Sequence, residues 1–127
     1  MDSWQFKDYI SPQGRNVIDD WYKRLLRQEQ SDFMALIRIL AKTREWKDPA
    51  FKQLKGKYQG MGELRFTSER KAHRVIGVVW PRPRQFTMLI GCFHKQRVYT
   101  PANALDTAFQ RKGFLERGKG SVRDRKI

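Results

Sequence analysis

Hydrophobic positions along the chain fall into two rhythms. Trp4 to Ile10 alternates loosely and carries aromatics, which predicts a first strand. Ser11-Pro12-Gln13-Gly14 breaks it. From Arg15 the spacing changes. Ile18, Trp21, Tyr22 and Leu25 recur at steps of three and four, with Asp19, Asp20, Lys23 and Arg24 between them, as on an amphipathic helix. A second helix follows, with Ser31 as its cap, Asp32 at its positive end, and Phe33, Leu36, Ile37 and Leu40 as its apolar stripe. Lys47-Asp48-Pro49 closes this helical hairpin. Phe51 to Gly62, with Lys52, Lys55, Lys57 and three glycines, reads as a connector with a basic edge.

Three strand-like runs come next. Glu63 to Thr67 sets Leu64 and Phe66 on one face and Glu63, Arg65 and Thr67 on the other. Ala72 to Trp80 is apolar on both faces from Val75 onward, which places it centrally. Gln85 to His94 is the third run, after a turn at Pro81-Arg82-Pro83-Arg84. Thr100 and Pro101 open a last helix that buries Leu105, Ala108 and Phe109 and ends near Gly113. This order predicts an α+β fold: an N-terminal strand and helical hairpin, a three-strand antiparallel meander, and a C-terminal helix. The helices cover one face of the sheet, and the other stays open for polar groups. Residues 1–117 form one domain, and 118–127 a basic, disordered tail.

Charge narrows the function. Twenty-seven Lys and Arg against thirteen Asp and Glu give 127 residues a net charge of +14. Such an excess attracts polyanions, and nucleic acid leads because each neutralised phosphate releases a counterion. A membrane surface is the rival partner, but no run of about 18 apolar residues is present to span one. Met1-Asp2-Ser3-Trp4-Gln5 lacks the basic and apolar regions of a leader, and the lone Cys92 has no internal disulfide partner, which together point to the cytoplasm.

Metal-free RNA cleavage needs a base for the 2′-hydroxyl, cations for the phosphorane and a proton for the leaving oxygen. Arg65, Arg74, His94 and Lys95 are the right types for these roles, since a guanidinium fork meets two phosphate oxygens and an imidazole moves protons near neutrality. Lys71, His73 and Arg74 begin one strand while His94, Lys95 and Arg97 end the next, so a meander can bring them together. By composition alone the plainer reading is a solvated basic face. His73 and His94 read equally as surface hydrogen-bonding groups, and Cys92 as a small buried hydrophobe. Trp4, Trp46, Tyr58 and Tyr99 are candidate base-stacking groups that packing also explains. No zinc-site spacing and no phosphate-binding glycine loop is present, and no cofactor is implied.

In order along the chain stand Leu54-Lys55-Gly56, Gly62-Glu63-Leu64-Arg65-Phe66, His73-Arg74-Val75-Ile76, Gly91-Cys92-Phe93-His94-Lys95 and Thr100-Pro101. From Trp4 to Arg117 this pattern resembles the RelE/ParE toxin superfamily, in its phage-derived, HigB-like branch. The resemblance implies a type II toxin that cuts mRNA in the ribosomal A site without a metal and pairs with a helix-turn-helix antitoxin. It implies catalytic roles for Arg65, Arg74 and Lys95, and leaves proton transfer to His94, the candidate that residue chemistry supplies. Contacts to mRNA and ribosomal RNA would fall to Lys55, Lys57, Lys71, His73, Arg97 and Tyr99. Glu63 stands where that family carries a second strand cation, Gln96 replaces an Arg, and Tyr99 is out of register with the family's tyrosine. Two further readings remain: a ParE-type gyrase inhibitor, and a non-catalytic phage-derived nucleic-acid-binding protein.

Overall fold

The computed structural model describes residues 3–127. Met1 and Asp2, read above as part of the N-terminal segment, lie outside the described residues. The fold is α+β. In chain order it runs β1 (Gln5–Ile10), α1 (Val17–Arg24), α2 (Arg27–Ala41), β2 (Phe51–Gln53), β3 (Met61–Ser68), β4 (Lys71–Val79), β5 (Gln85–Lys95), β6 (Val98–Thr100), α3 (Ala104–Glu116) and β7 (Ser121–Asp124). One sheet has the order β2-β3-β4-β5-β1-β7, with β6 on the far end of β5. The expected meander is β3-β4-β5, antiparallel throughout. β1 then joins β5 in parallel, pairing Gln5 with Gln85 through Asp8 with Met88.

The sheet is covered on both faces, which corrects the expectation of an open one. Leu64, Val75, Phe86 and Met88 point towards α1 and α2, where they meet Ile18, Trp21, Phe33 and Ile37. Their neighbours in the strands, Ile76, Val78 and Leu89, point the other way and pack with Ala104, Ala108 and Leu115 of α3. A central strand apolar on both faces needs two partners. The second face gathers its arginines and His94 at the end away from Thr87 and Lys7, which lie on the same face near the start of β5.

Four boundaries differ from expectation. α2 begins at Arg27, so Ser31 and Asp32 lie within it; Glu29 Oε1 accepts from the Leu26 N–H at 2.8 Å and does the capping. Asp32 instead accepts a 2.5 Å hydrogen bond from Ser68 at the end of β3. Thr100 and Pro101 do not open α3, because Thr100 ends β6; the helix starts after Asn103, runs past Gly113 to Glu116, and buries Leu115 while Phe109 stays exposed against Tyr58. The connector contains β2, paired on β3.

The tail is ordered. β7 pairs antiparallel with the outer edge of β1, from Lys7 with Asp124 to Ile10 with Ser121. Just past it, Arg125 Nη2 lies 2.6 Å from the buried Asp8 and 3.1 Å from Asp19. Basic composition predicted disorder, but the carboxylates that hold Arg125 lie in β1 and α1, over a hundred residues away.

Candidate nucleic-acid interface

The strand registers assemble the cluster. Arg65 lies opposite Arg74, Arg74 opposite Cys92, Ala72 opposite His94, and His94 opposite Tyr99. All share the α3 face, because residues two apart in a strand share a face and registered partners face the same way. Glu63 belongs to this row and is almost wholly buried. Its Oε1 lies 2.7 Å from both Nε and Nη2 of Arg65 and 3.6 Å from Nε of Arg74. Its Oε2 accepts a 2.6 Å hydrogen bond from the Tyr99 hydroxyl. Arg74 also donates from Nη1 to the His73 carbonyl at 3.0 Å. One carboxylate thus holds the Arg65 guanidinium and the Tyr99 phenol, with Arg74 within ion-pair distance, and Arg65 has a second, exposed counter-charge in Asp48 at 3.7 Å.

The protonation states follow from burial. The Tyr99 phenol is pushed up by desolvation and then by the Glu63 carboxylate, so it stays a donor. The His94 ring packs against Tyr99 with centroids 4.8 Å apart. Its pKa is held below the ordinary 6.5 by desolvation first and by Arg74 next, with Glu63 opposing. At neutral pH it is a neutral imidazole beside two guanidiniums, able to accept a proton. Burial also lowers Arg74, but a guanidinium keeps its charge in any protein setting.

Two shallow hollows flank this cluster. One of about 380 Å³ is bounded by Arg65, Phe66, Thr67 and Arg74, with Pro49 and Ala50 across from them. The other, about 390 Å³, lies between the start of β4 and the end of β5, bounded by Arg70, Lys71, Phe93, His94 and Lys95. Arg70 and Arg97 sit at the tips of the β3–β4 and β5–β6 hairpins. Each tip holds two non-glycine residues at positive φ, Glu69-Arg70 and Gln96-Arg97. That backbone normally favours Asn or Gly, so both tips are strained while presenting a cation.

Not every expected residue arrives here. His73 is fully enclosed on the opposite face, stacked on Phe66 at 4.5 Å with Nε2 3.0 Å from Glu29. Its neighbour Arg74 faces the cluster, so strand alternation sends His73 inward, and it cannot touch nucleic acid. Burial lowers its pKa against the pull of Glu29. Lys71 shares that face, with Nζ 5.4 Å from the Phe93 ring centroid and 3.6 Å from Glu29, but remains half exposed at the rim. Lys55 and Lys57 lie before β3, at the other end of the sheet, and Lys57 pairs with Asp106 of α3 at 3.2 Å. Lys95 stands exposed at the end of β5. Trp4 packs on Trp46 at 4.2 Å. Cys92 is buried with its thiol pushed up to about 12, so it is a poor nucleophile.

Glu63 is the residue that sequence reasoning missed as a functional group. Its parity with Arg65 was visible, but its burial follows only once α3 is known to cover that face. Among the described residues no three His, Cys, Asp or Glu side chains form a group able to hold a metal ion, and no helix is long and apolar enough to cross a membrane.

The model of the family described as Phage derived protein Gp49-like (DUF891) matches residues 20–113. The chain belongs to that family. Gp49-like proteins are associated with toxins of the RelE/HigB type. The matched span holds all of Glu63, Arg65, Arg74, His94 and Tyr99, and leaves out β1 and β7. No curated protein matches the chain.

Proposed function

We propose that this Gp49-like protein is the toxin of a type II toxin–antitoxin pair, a ribosome-dependent, metal-independent mRNA endonuclease acting in the cytoplasm beside ribosomal RNA and held in check by a helix-turn-helix antitoxin. The observation that carries the reading is the pairing of Arg65 with Arg74 on one buried carboxylate, next to a neutral His94. Neutral His94 takes the proton from the 2′-hydroxyl. The 2′-oxygen then attacks the phosphorus and displaces the 5′-oxygen, which takes a proton from water, leaving a cyclic phosphate and a 5′-hydroxyl, while the His94 imidazolium gives its proton back to solvent. Arg65 and Arg74 stabilise the charge that develops on the phosphate oxygens, Arg65 held in place by Glu63 and Arg74 by the His73 carbonyl. Lys95, at the end of the strand that carries His94, adds charge beside the leaving oxygen.

The test is cleavage of one mRNA by purified protein, with and without programmed ribosomes, and with EDTA in a ribosome-free lane. Cuts only with ribosomes, in register with the A-site codon and lost in Arg65→Ala and Arg74→Ala, support the proposal. Cuts that persist in both variants, or no cuts in any lane, overturn it; in the second case DNA supercoiling by gyrase is the next assay.

A further inference from the structure

The outer edge of β5 is paired with β1 from Gln85 to Met88 and with β6 from Phe93 to Lys95. Between these stretches, no strand among the described residues covers Leu89 to Cys92 on that edge. A pocket of about 250 Å³ fills the gap, bounded by α1, the end of the β1–α1 loop and α3. Three guanidiniums line it: Arg15, Arg24 and Arg111. The single carboxylate in its wall, Asp20, is taken by Arg15 at 2.9 Å. Among the described residues, Arg24 and Arg111 have no acidic partner.

Arg111 is no free surface cation. Its Nη1 donates to the Leu89 carbonyl at 2.7 Å, and its guanidinium carbon lies 5.7 Å from the Tyr9 ring centroid. The fold holds this charge still at the pocket wall, partly desolvated and without a counter-ion, which is costly unless an anion is supplied. A second orphan lies beside it. Trp21 is buried, and its indole N–H has no acceptor within the protein. The indole packs against Gly91, where a Cβ would come to 2.2 Å from the ring, so only glycine admits it.

We propose that this pocket is a second oxyanion site, built for a phosphate group, apart from the Arg65–Arg74 cluster. A carboxylate occupies one guanidinium fork, whereas a tetrahedral phosphate presents oxygens to two or three at once. Two unpaired guanidiniums and a third already half-satisfied suit the larger anion, and the buried Trp21 indole in the pocket wall reports on it. The site does not depend on RNA cleavage: it binds phosphate whether or not the other cluster cuts RNA.

The test uses full-length protein and its Trp21 indole N–H resonance, assigned by loss in Trp21→Phe. Titration with inorganic phosphate is expected to shift that resonance saturably, while acetate at equal ionic strength leaves it in place. Arg24→Ala, an exposed change remote from the core, should weaken phosphate binding about tenfold, as loss of one charge-assisted hydrogen bond does. Arg65→Ala should leave the titration unchanged, which separates this site from the cleavage cluster. A resonance that does not move with phosphate overturns the proposal. So does an equal response to acetate, which marks a carboxylate-binding surface suited to an acidic protein partner, or a titration indifferent to Arg24→Ala.

Discussion

At the scale of single residues, the weight of the candidate site falls on Glu63. A carboxylate so enclosed is tolerated because Arg65 and the Tyr99 hydroxyl engage both its oxygens, with Arg74 close by. Glu63→Gln keeps the shape and removes the charge that two guanidiniums share. Breaking a buried pair costs about 3–5 kcal/mol, but Arg65 keeps 27% of its side-chain surface in water, so a loss of about 2–3 kcal/mol is expected. Urea unfolding measures it. RNA affinity should hold or rise, since the surface becomes more positive; a fall would mean that Glu63 is needed to hold the arginines in their binding orientation. His94 gives the second residue-scale prediction. A general base works deprotonated, and desolvation and Arg74 hold this imidazole below 6.5. Cleavage should therefore rise with pH through that depressed value and be flat by neutrality. His94→Ala should lower the rate by about 10²–10⁴-fold and abolish this limb of the profile. A limb that survives the substitution assigns it to another group.

The elements differ in how plainly the chain announces them. The β3-β4-β5 meander was legible because its strands are contiguous, rich in β-branched and aromatic residues, and separated by polar turns. The helical hairpin was legible from its spacing, although its second cap was misplaced, since Glu29 lies within the helix it caps. β1 reads as a strand, but its parallel place beside β5 joins residues 80 apart and leaves no local trace. β7 is harder still, because its partner is 117 residues away and its composition is that of a tail. The structure makes β7 a stabilising part. Asp8 is enclosed, and Arg125 is its main cation, with Asn16 donating one further hydrogen bond at 3.0 Å. Arg125→Ala would leave that carboxylate without a counter-charge, at about 3 kcal/mol of stability. Denaturant unfolding should show a lower midpoint, and pairing the change with Asp8→Asn should recover part of the loss. No recovery would mean that Arg125 acts through packing on Tyr22, whose ring centroid lies 5.2 Å from its guanidinium carbon.

For the whole molecule, what matters is where the +14 charge sits. Composition could say only that a basic protein attracts polyanions. The fold gathers Arg70, Lys71, Lys95 and Arg97 at one end of the sheet, because the β3–β4 and β5–β6 hairpins turn on the same side, and it sets Arg65 and Arg74 just behind them. Lys42 follows α2 at the opposite end, near Trp4, whose N–H bonds the Ala41 carbonyl. Were charge spread evenly, every cation would count alike. If this end is the interface, cations should divide into two classes. On single-stranded RNA each neutralised phosphate contributes about 0.7 to the slope of log affinity against log salt. Four contacts at this end therefore give a slope of about −3. Arg97→Ala should make it shallower by about 0.7, whereas Lys42→Ala should leave it unchanged. Fluorescence anisotropy with a labelled oligonucleotide across a salt series separates the cases. Equal effects from the two variants would mean that the whole basic surface binds RNA without a preferred face. The cluster around Glu63 would then have to act on an RNA held elsewhere, and by the ribosome rather than by this protein.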